Sequence, residues 1–447
     1  MESFSFPEGF LWGTATSGHQ IEGNNTASDW WAWEPGKIRG NLTSGRACDA
    51  WNRYEEDYAL MASMGLNAYR MGIEWSRVEP APGRWDDEAF NRYEDMMKSL
   101  SSKGIAICLT LFHLTLPKWV AHAGGWENHA TVDAFARFCE QVATRLGSYP
   151  LLWCTLNEPN VYIMSSYIAG EFPPEKRSLC AARRVMRHLL TAHTAAYSII
   201  NAHAHCASHS EGAHAHSPKP LIGIAHNMMP VAPARRRYLD RMVAGIQDRA
   251  WNASLIEALA TGRMSGLFGD GRPVQGLAGS YTYIGVNYYL RRTVAFRLNG
   301  IANGFSEDVF PPSAPRTDFG WPIVPEGLYD SIMQASSLDV PIYITENGIA
   351  DARDTMRPRY IVDHLAQTRR AIDAGADVRG YFHWTFQDNF EWRDGYTQKF
   401  GLYALDPEDP QLTRVPRPSA GLYAAIAQAN GVTQIAMHQP RAGTVDM

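Results

Sequence analysis

Residues 151–160 read LLWCTLNEPN. The run opens on Leu151-Leu152-Trp153, continues to Leu156, and passes directly into Asn157, Glu158 and a proline. An apolar run of this length without strict alternation suits a strand covered on both faces, as in a parallel sheet flanked by helices. A carboxylate at the end of such a strand is costly unless it is neutralised or solvated. Glu158 is therefore either a charge leaving the core for water or a working acid.

Comparable apolar runs occur along the whole chain, at 10–15, 66–73, 105–112, 221–226, 282–288, 341–345 and 378–384. Amphipathic stretches alternate with them at 52–64, 87–103, 131–146, 178–203, 235–261, 359–375 and 418–429. Eight apolar strands alternating with helical stretches such as these predict an α/β fold: a single (β/α)8 TIM barrel spanning 1–447 as one domain, with elaborated βα loops forming an active-site rim. An open doubly wound sheet is the alternative, but no GxGxxG follows an early strand. The segment 290–325, rich in Pro, Gly, Asn and Arg and without clear period, is expected to be a rim loop. The end, 431–447, reads as a surface tail.

Composition adds exclusions. The chain has 447 residues, 45% hydrophobic and 19% charged, with a formal net charge of −5. Neither nucleic acid nor an anionic membrane is implied as a partner. The opening MESFSFPEGFLWG has neither a basic nor an apolar leader region, and no run of about 18 apolar residues occurs, so a cytoplasmic location is expected. The six cysteines (Cys48, Cys108, Cys139, Cys154, Cys180 and Cys206) are scattered without CxxC pairs, which suits reduced thiols.

Catalytic groups of such barrels sit at the C-terminal ends of strands. Arg70 lies in the second strand, His113 follows the third, and Asn157 and Glu158 end the fourth. Asn287 and Tyr289 end the sixth, Glu346 the seventh (YITENG) and Trp384 the eighth. Each has a plain structural reading: Glu-Pro and Glu-Asn-Gly are common strand-end turns, and a lone His is usually a core histidine. Their joint occurrence at one barrel mouth changes that. Two carboxylates with aromatics and amides suggest glycoside chemistry, in which one carboxyl serves as acid and the other as nucleophile.

The motifs FPEGFLWGTATSGHQIEG, TLNEPN, IGVNYY, YITENG, DNFEWRDGY and KFGLYALD, in this order, resemble glycoside hydrolase family 1, the β-glucosidase family, over essentially the whole chain. The resemblance implies a retaining exo-β-glycosidase without cofactor or metal. Its substrates would be small: β-glucosides, cello-oligosaccharides or aryl β-glycosides. By that resemblance Glu158 is the acid/base and Glu346 the nucleophile. Asn157 holds the sugar 2-hydroxyl, and Arg70 and Tyr289 contact the nucleophile beside Asn287. Gln20, His113, Glu391 and Trp392 bind glycone hydroxyls. Trp384 is the platform beneath the sugar, Phe400 a second wall, and Trp321 an aglycone-side platform. Glu346 is expected to be ionised beside Arg70 and Tyr289, and Glu158 to have a raised pKa. Retention requires the carboxyls about 5–5.5 Å apart, against roughly 6.5–9.5 Å for inversion.

The chain also departs from the family pattern. Leu114-Thr115 stands where Trp-Asp is common after the histidine, which is expected to alter packing around the glycone. GIEWSRVEP replaces the commoner SISWSRI. Glu391, Gln398 and Phe400 differ from the phospho-β-glycosidase branch, so an unphosphorylated glycone is expected.

Two other classes compete. The stretch 201–216, with His203, His205, His209, His214 and His216, raises a zinc hydrolase. The first strand, however, runs into Gly18-His19-Gln20 without an HxH pair, and a solvated loop is the better reading. A sugar-binding protein would need neither carboxylate nor Arg70. Oligomeric state and the choice among glucoside, galactoside and fucoside leave no signature in the sequence.

Overall fold

The computed structural model describes residues 3–207, 220–300, 303–310 and 314–433. Eight strands run parallel: β1 (Leu11–Ala15), β2 (Ala68–Gly72), β3 (Ala106–Thr110), β4 (Pro150–Asn157), β5 (Leu221–Met228), β6 (Ile284–Tyr288), β7 (Ile342–Asn347) and β8 (Val378–Trp384). Each pairs with the next in sequence, and β8 returns to β1 to close the barrel. Every strand expected from the sequence is present, and the closed (β/α)8 architecture is confirmed.

The outer helices form for legible reasons. Asp86 caps Asp87–Ser102 by accepting from the Ala89 N–H, with Asp87 and Glu88 in the first turn. Its Ala89, Phe90, Tyr93, Met96, Met97 and Leu100 are buried at three- and four-residue spacing. Each large side chain so buried contributes about 1.5–3 kcal/mol. These faces join one continuous core around the barrel, and a second, smaller cluster fills its interior. Interior positions such as Ala15, Ala68, Cys108, Cys154 and Ala225 are small. That leaves room for the fully buried Arg70 side chain inside the barrel.

Four expectations need correction. The stretch 290–325 is not all loop: Arg292–Phe296 and Ser306–Asp308 pair antiparallel, and Val231–Pro233 joins them as a third strand. Their half-buried pattern is too short to register as a period. The helical stretch 235–261 is three pieces, Tyr238–Asp248, a π-helical turn Arg249–Ala253, and Ser254–Thr261. An unanticipated helix, Glu326–Ala335, lies between β6 and β7. The supposed tail begins with a strand, Gly431–Val432, paired to Phe4–Ser5, while 434–447 lies outside the described residues.

The histidine-rich stretch opens as helix, because Leu179–Ala207 continues into it, and His203 Nε2 lies 2.8 Å from Glu140 Oε1 at the surface. The side chains of His205, His209, His214 and His216 lie outside the described residues. Among the described residues no cluster of three His, Cys, Asp or Glu could hold a metal ion, and no helix is long and apolar enough to cross a membrane. Cys48, Cys108, Cys139 and Cys154 are buried free thiols.

Candidate active site

The C-terminal ends of the strands surround one cavity of about 370 Å³, near the small end of the ~300–1,000 Å³ usual for small-molecule sites. Glu158, Glu346, His113, Tyr289, Trp384, Glu391, Trp392, Phe400 and Trp321 line it, as expected from the sequence. Arg70, Asn157 and Asn287 stand behind the two carboxyls, and Gln20 stands behind Glu391.

Both glutamates leave the barrel at irregularities. The pairing of β4 with β5 slips between Cys154 and Asn157, and that of β7 with β6 slips between Ile344 and Glu346. Glu158 has a left-handed backbone, φ 46° and ψ 57°. For a non-glycine this costs about 1–3 kcal/mol, a strain typical of working sites. Pro159 then starts the short helix Pro159–Ile163. After Glu346, Gly348 is required by close approach, since a Cβ there would lie 1.8 Å from the Trp384 carbonyl oxygen.

The two carboxyls have different company. Glu346 Oε1 accepts from Arg70 Nη1 at 2.6 Å, and Oε2 accepts from the Tyr289 hydroxyl at 2.7 Å. Burial leaves its pKa above the usual glutamate value, although the Arg70 charge and the hydrogen bonds from Tyr289 and Arg70 pull the other way. Among the described residues, Glu158 touches no cation. Its Oε1 accepts from the amides of Asn227 and Asn287, both at 2.9 Å. Burial, and after it the Glu346 charge, lift Glu158 to about 7. The geometry separates the two: Glu346 has a guanidinium and a hydroxyl that favour its charged form, whereas burial and the Glu346 charge favour the protonated form of Glu158.

Arg70 organises the floor. Its Nε donates to Thr110 Oγ1 at 3.1 Å and its Nη2 to Asn157 Oδ1 at 2.6 Å. A guanidinium only donates, so the Asn157 oxygen must face it and the Asn157 nitrogen must face His113 Nε2, 3.1 Å away. Burial and the Arg70 charge hold the His113 pKa well below the usual histidine value. The neutral ring thus accepts at Nε2 and carries its proton on Nδ1, which has no partner among the described residues. Trp392 is stacked between His113, at 6.2 Å and 24°, and His19, at 6.0 Å and 8°.

Gln20 is saturated by protein: Nε2 donates to the Phe390 carbonyl at 2.8 Å and Oε1 accepts from Ser17 Oγ at 2.8 Å. Glu391 is half-buried, and burial together with Asp394, Glu346 and Glu158 raises it to about 8. At neutral pH it is mostly a carboxylic acid rather than the carboxylate expected from the sequence. The two departures from the family motifs meet: Thr115 Oγ1 donates to Glu74 Oε2 at 2.9 Å, and Glu74 Oε1 accepts from the His19 N–H at 2.9 Å. Leu114 takes a place in the cavity wall.

Sequence reasoning missed Asn227, Trp251, Phe172 and Phe319, all of which line the cavity. Asn227 was findable. The fifth strand runs to Met228 rather than stopping at His226, and Asn227 lies in register with Asn287 on β6. Trp251 lies in the π-helical turn, which has no sequence signature.

A family model described as glycosyl hydrolase family 1 matches residues 2–432. The β-galactosidase of Pyrococcus woesei is 33% identical, covering 96% of this chain and 98% of its own length. β-Glucosidase A of Thermotoga maritima is 30% identical, covering 96% and 98%. Among solved structures, a β-glycosidase from Pyrococcus horikoshii superposes with a TM-score of 0.88 at 35% identity over the full length of both chains. The Thermotoga maritima family 1 β-glucosidase in complex with isofagomine lactam gives 0.88 at 29% identity, covering 96% and 100%.

Proposed function

The chain belongs to glycosyl hydrolase family 1, and from that premise we propose that one barrel domain works as a retaining exo-β-glycosidase on unphosphorylated β-D-glycosides. Glu346 attacks the anomeric carbon while Glu158 gives its proton to the departing oxygen. The anionic neighbour is consumed in the glycosyl-enzyme, the Glu158 pKa falls, and Glu158 then takes a proton from the attacking water. Arg70 and Tyr289 keep Glu346 ionised. Asn157, Asn287, His113, Gln20, Glu391 and Trp392 hold the glycone hydroxyls or each other, over Trp384 and against Phe400.

The observation that carries this reading is the asymmetry between two buried carboxyls in one cavity, one against a guanidinium and the other held, among the described residues, by neutral amides. Retention needs their separation near 5–5.5 Å. Proton NMR of a β-glucoside digest tests it: the β-anomer of the sugar must form first and mutarotate afterwards. An α-anomer formed first contradicts the mechanism.

Glucosides are the main substrates proposed, with galactoside and fucoside side activity; relatives are named β-galactosidase as well as β-glucosidase. Natural substrates would include cello-oligosaccharides from cellulose breakdown. A 6-phosphate would enter a cavity whose walls carry Glu346, Glu171 and Asp394 and, among the described residues, one arginine, Arg393. The plain glucoside is expected to be cleaved faster than its 6-phosphate.

A further inference from the structure

Glu158 has two oxygens, and the structure distinguishes them. Oε1 accepts two amide N–H groups, from Asn227 and Asn287, whereas Oε2 accepts none from any described residue. An amide presents a donor on one side and an acceptor on the other, so neighbours that can only donate fix which way it faces.

Two such anchors exist. The Trp251 indole N–H, 3.2 Å from Asn227, requires the Asn227 oxygen on its side. The Asn227 nitrogen is thereby turned to Glu158. On the other flank, Arg70 requires the Asn157 oxygen to face it, and that same oxygen lies 3.1 Å from Asn287. It can accept only from the Asn287 nitrogen, which is also the atom 2.9 Å from Glu158 Oε1. Thr345 Oγ1, donating to the Asn287 oxygen at 2.6 Å, completes the same orientation. Both lone-pair directions of Oε1 are then occupied by donors.

We infer that neutral Glu158 carries its proton on Oε2, and that Trp251 is a positioning residue enforcing this by holding the Asn227 amide nitrogen toward Oε1. The inference rests on Glu158 being the acid. In the step itself, the Oε2–H bond breaks and the proton passes to the glycosidic oxygen. The C1–O bond breaks with its electron pair going to that oxygen, and Glu346 forms the new bond to C1. Without the Trp251 N–H, Asn227 is free to turn its oxygen toward Glu158 and accept a proton from Oε1. The acid is then mispointed in part of the population.

The π-helical turn makes Trp251 a fixed anchor. Its neighbour Asn252 is fully buried. The Asn252 Oδ1 accepts from the Met229 N–H at 2.8 Å, its Nδ2 donates to the Met229 carbonyl at 3.0 Å, and its own carbonyl lies 3.0 Å from His226 Nε2. The turn is thus tied on both sides of Asn227 to the end of β5.

The test compares Trp251→Phe and Asn227→Ala with the parent, using kcat/KM for aryl β-glucosides of graded leaving-group pKa. For phenyl or alkyl glucosides, which need protonation, kcat/KM falls about tenfold, the loss of one hydrogen bond's worth of orientation. For 2,4-dinitrophenyl β-glucoside, which needs none, it stays within about twofold. A Glu158→Ala control should lose the poor leaving groups selectively and form β-glycosyl azide when azide is added. If that control fails, the acid/base reading itself is wrong. If it succeeds while both variants slow all substrates equally, or only raise KM, Trp251 is merely part of the aglycone wall and the inference is overturned. Should one variant melt below the assay temperature, the other decides alone.

Discussion

Arg70 Nη1 lies 2.6 Å from Glu346 Oε1, with both groups buried. The pair does two things: it opposes the burial that raises the pKa of this carboxyl, and it orients the carboxyl through a rigid fork. Removing the cation leaves an unpaired buried acid. Arg70→Met is therefore expected to lower kcat/KM by at least about a hundredfold. Its acidic pH limb should also move upward, because Glu346 then ionises later. A pH–rate profile with an unmoved acidic limb would refute the assigned role.

The basic limb belongs to Glu158, whose pKa lies at about 7. In the free enzyme kcat/KM for a poor leaving group is expected to fall as pH rises through that value. The same shift affects stability. A carboxyl with a folded pKa above its unfolded value binds more protons when folded, so its contribution is lost as pH rises from about 4.5 to 7. Glu158→Gln, inactive on such substrates, should consequently exceed the parent in stability at pH 8 by about 1–3 kcal/mol. Thermal melts at pH 8 and pH 4.5 check this, with the gain expected only at the higher pH.

Trp321 stacks on Phe319 at 4.5 Å and 6°, and both line the cavity. Such a flat pair suits an aryl or sugar face on the leaving-group side. Trp321→Ala is expected to raise KM for aryl glucosides about three- to tenfold with kcat little changed, as loss of uniform binding does. A kcat loss with unchanged KM would place Trp321 in the chemistry instead.

Far from the chemistry, Arg414 joins late chain to early chain. Its Nε donates to Asp57 Oδ1 at 2.8 Å, and its Nη2 donates to the Cys48 carbonyl at 2.8 Å. Both members of the ion pair are buried. Arg414→Ala strands Asp57 without its partner and should lower unfolding stability by about 3–5 kcal/mol. Denaturant unfolding measures this, and a change below about 1 kcal/mol would show the pair to be dispensable.

The barrel was legible because each strand is covered on both faces and so reads as an apolar run ending in polar groups. Glu158, Glu346 and Arg70 were legible because their residue types are expensive in such places. What escaped notice has no such mark. The left-handed turn at Glu158 and the slips in β4 and β7 arise from closing the barrel, a tertiary constraint. Trp251 sits inside what reads as one amphipathic helix, where a single extra residue makes the π-helical turn. Glu391 reads as a carboxylate, yet Asp394, Glu346 and Glu158 gather around it only in the folded chain. The three-stranded sheet of Val231–Pro233, Arg292–Phe296 and Ser306–Asp308 joins segments far apart in sequence, each too short to show a period.

The central claim is that Glu346 forms a covalent bond to the sugar while Glu158 handles the protons. The most direct measurement is mass spectrometry after incubation with 2,4-dinitrophenyl 2-deoxy-2-fluoro-β-glucoside, a substrate that forms the intermediate faster than it is hydrolysed. One fluoroglucosyl group per chain is expected, mapping by peptide digestion to the segment containing YITENG and lying on Glu346. No stable adduct, or an adduct on Glu158, would contradict the account.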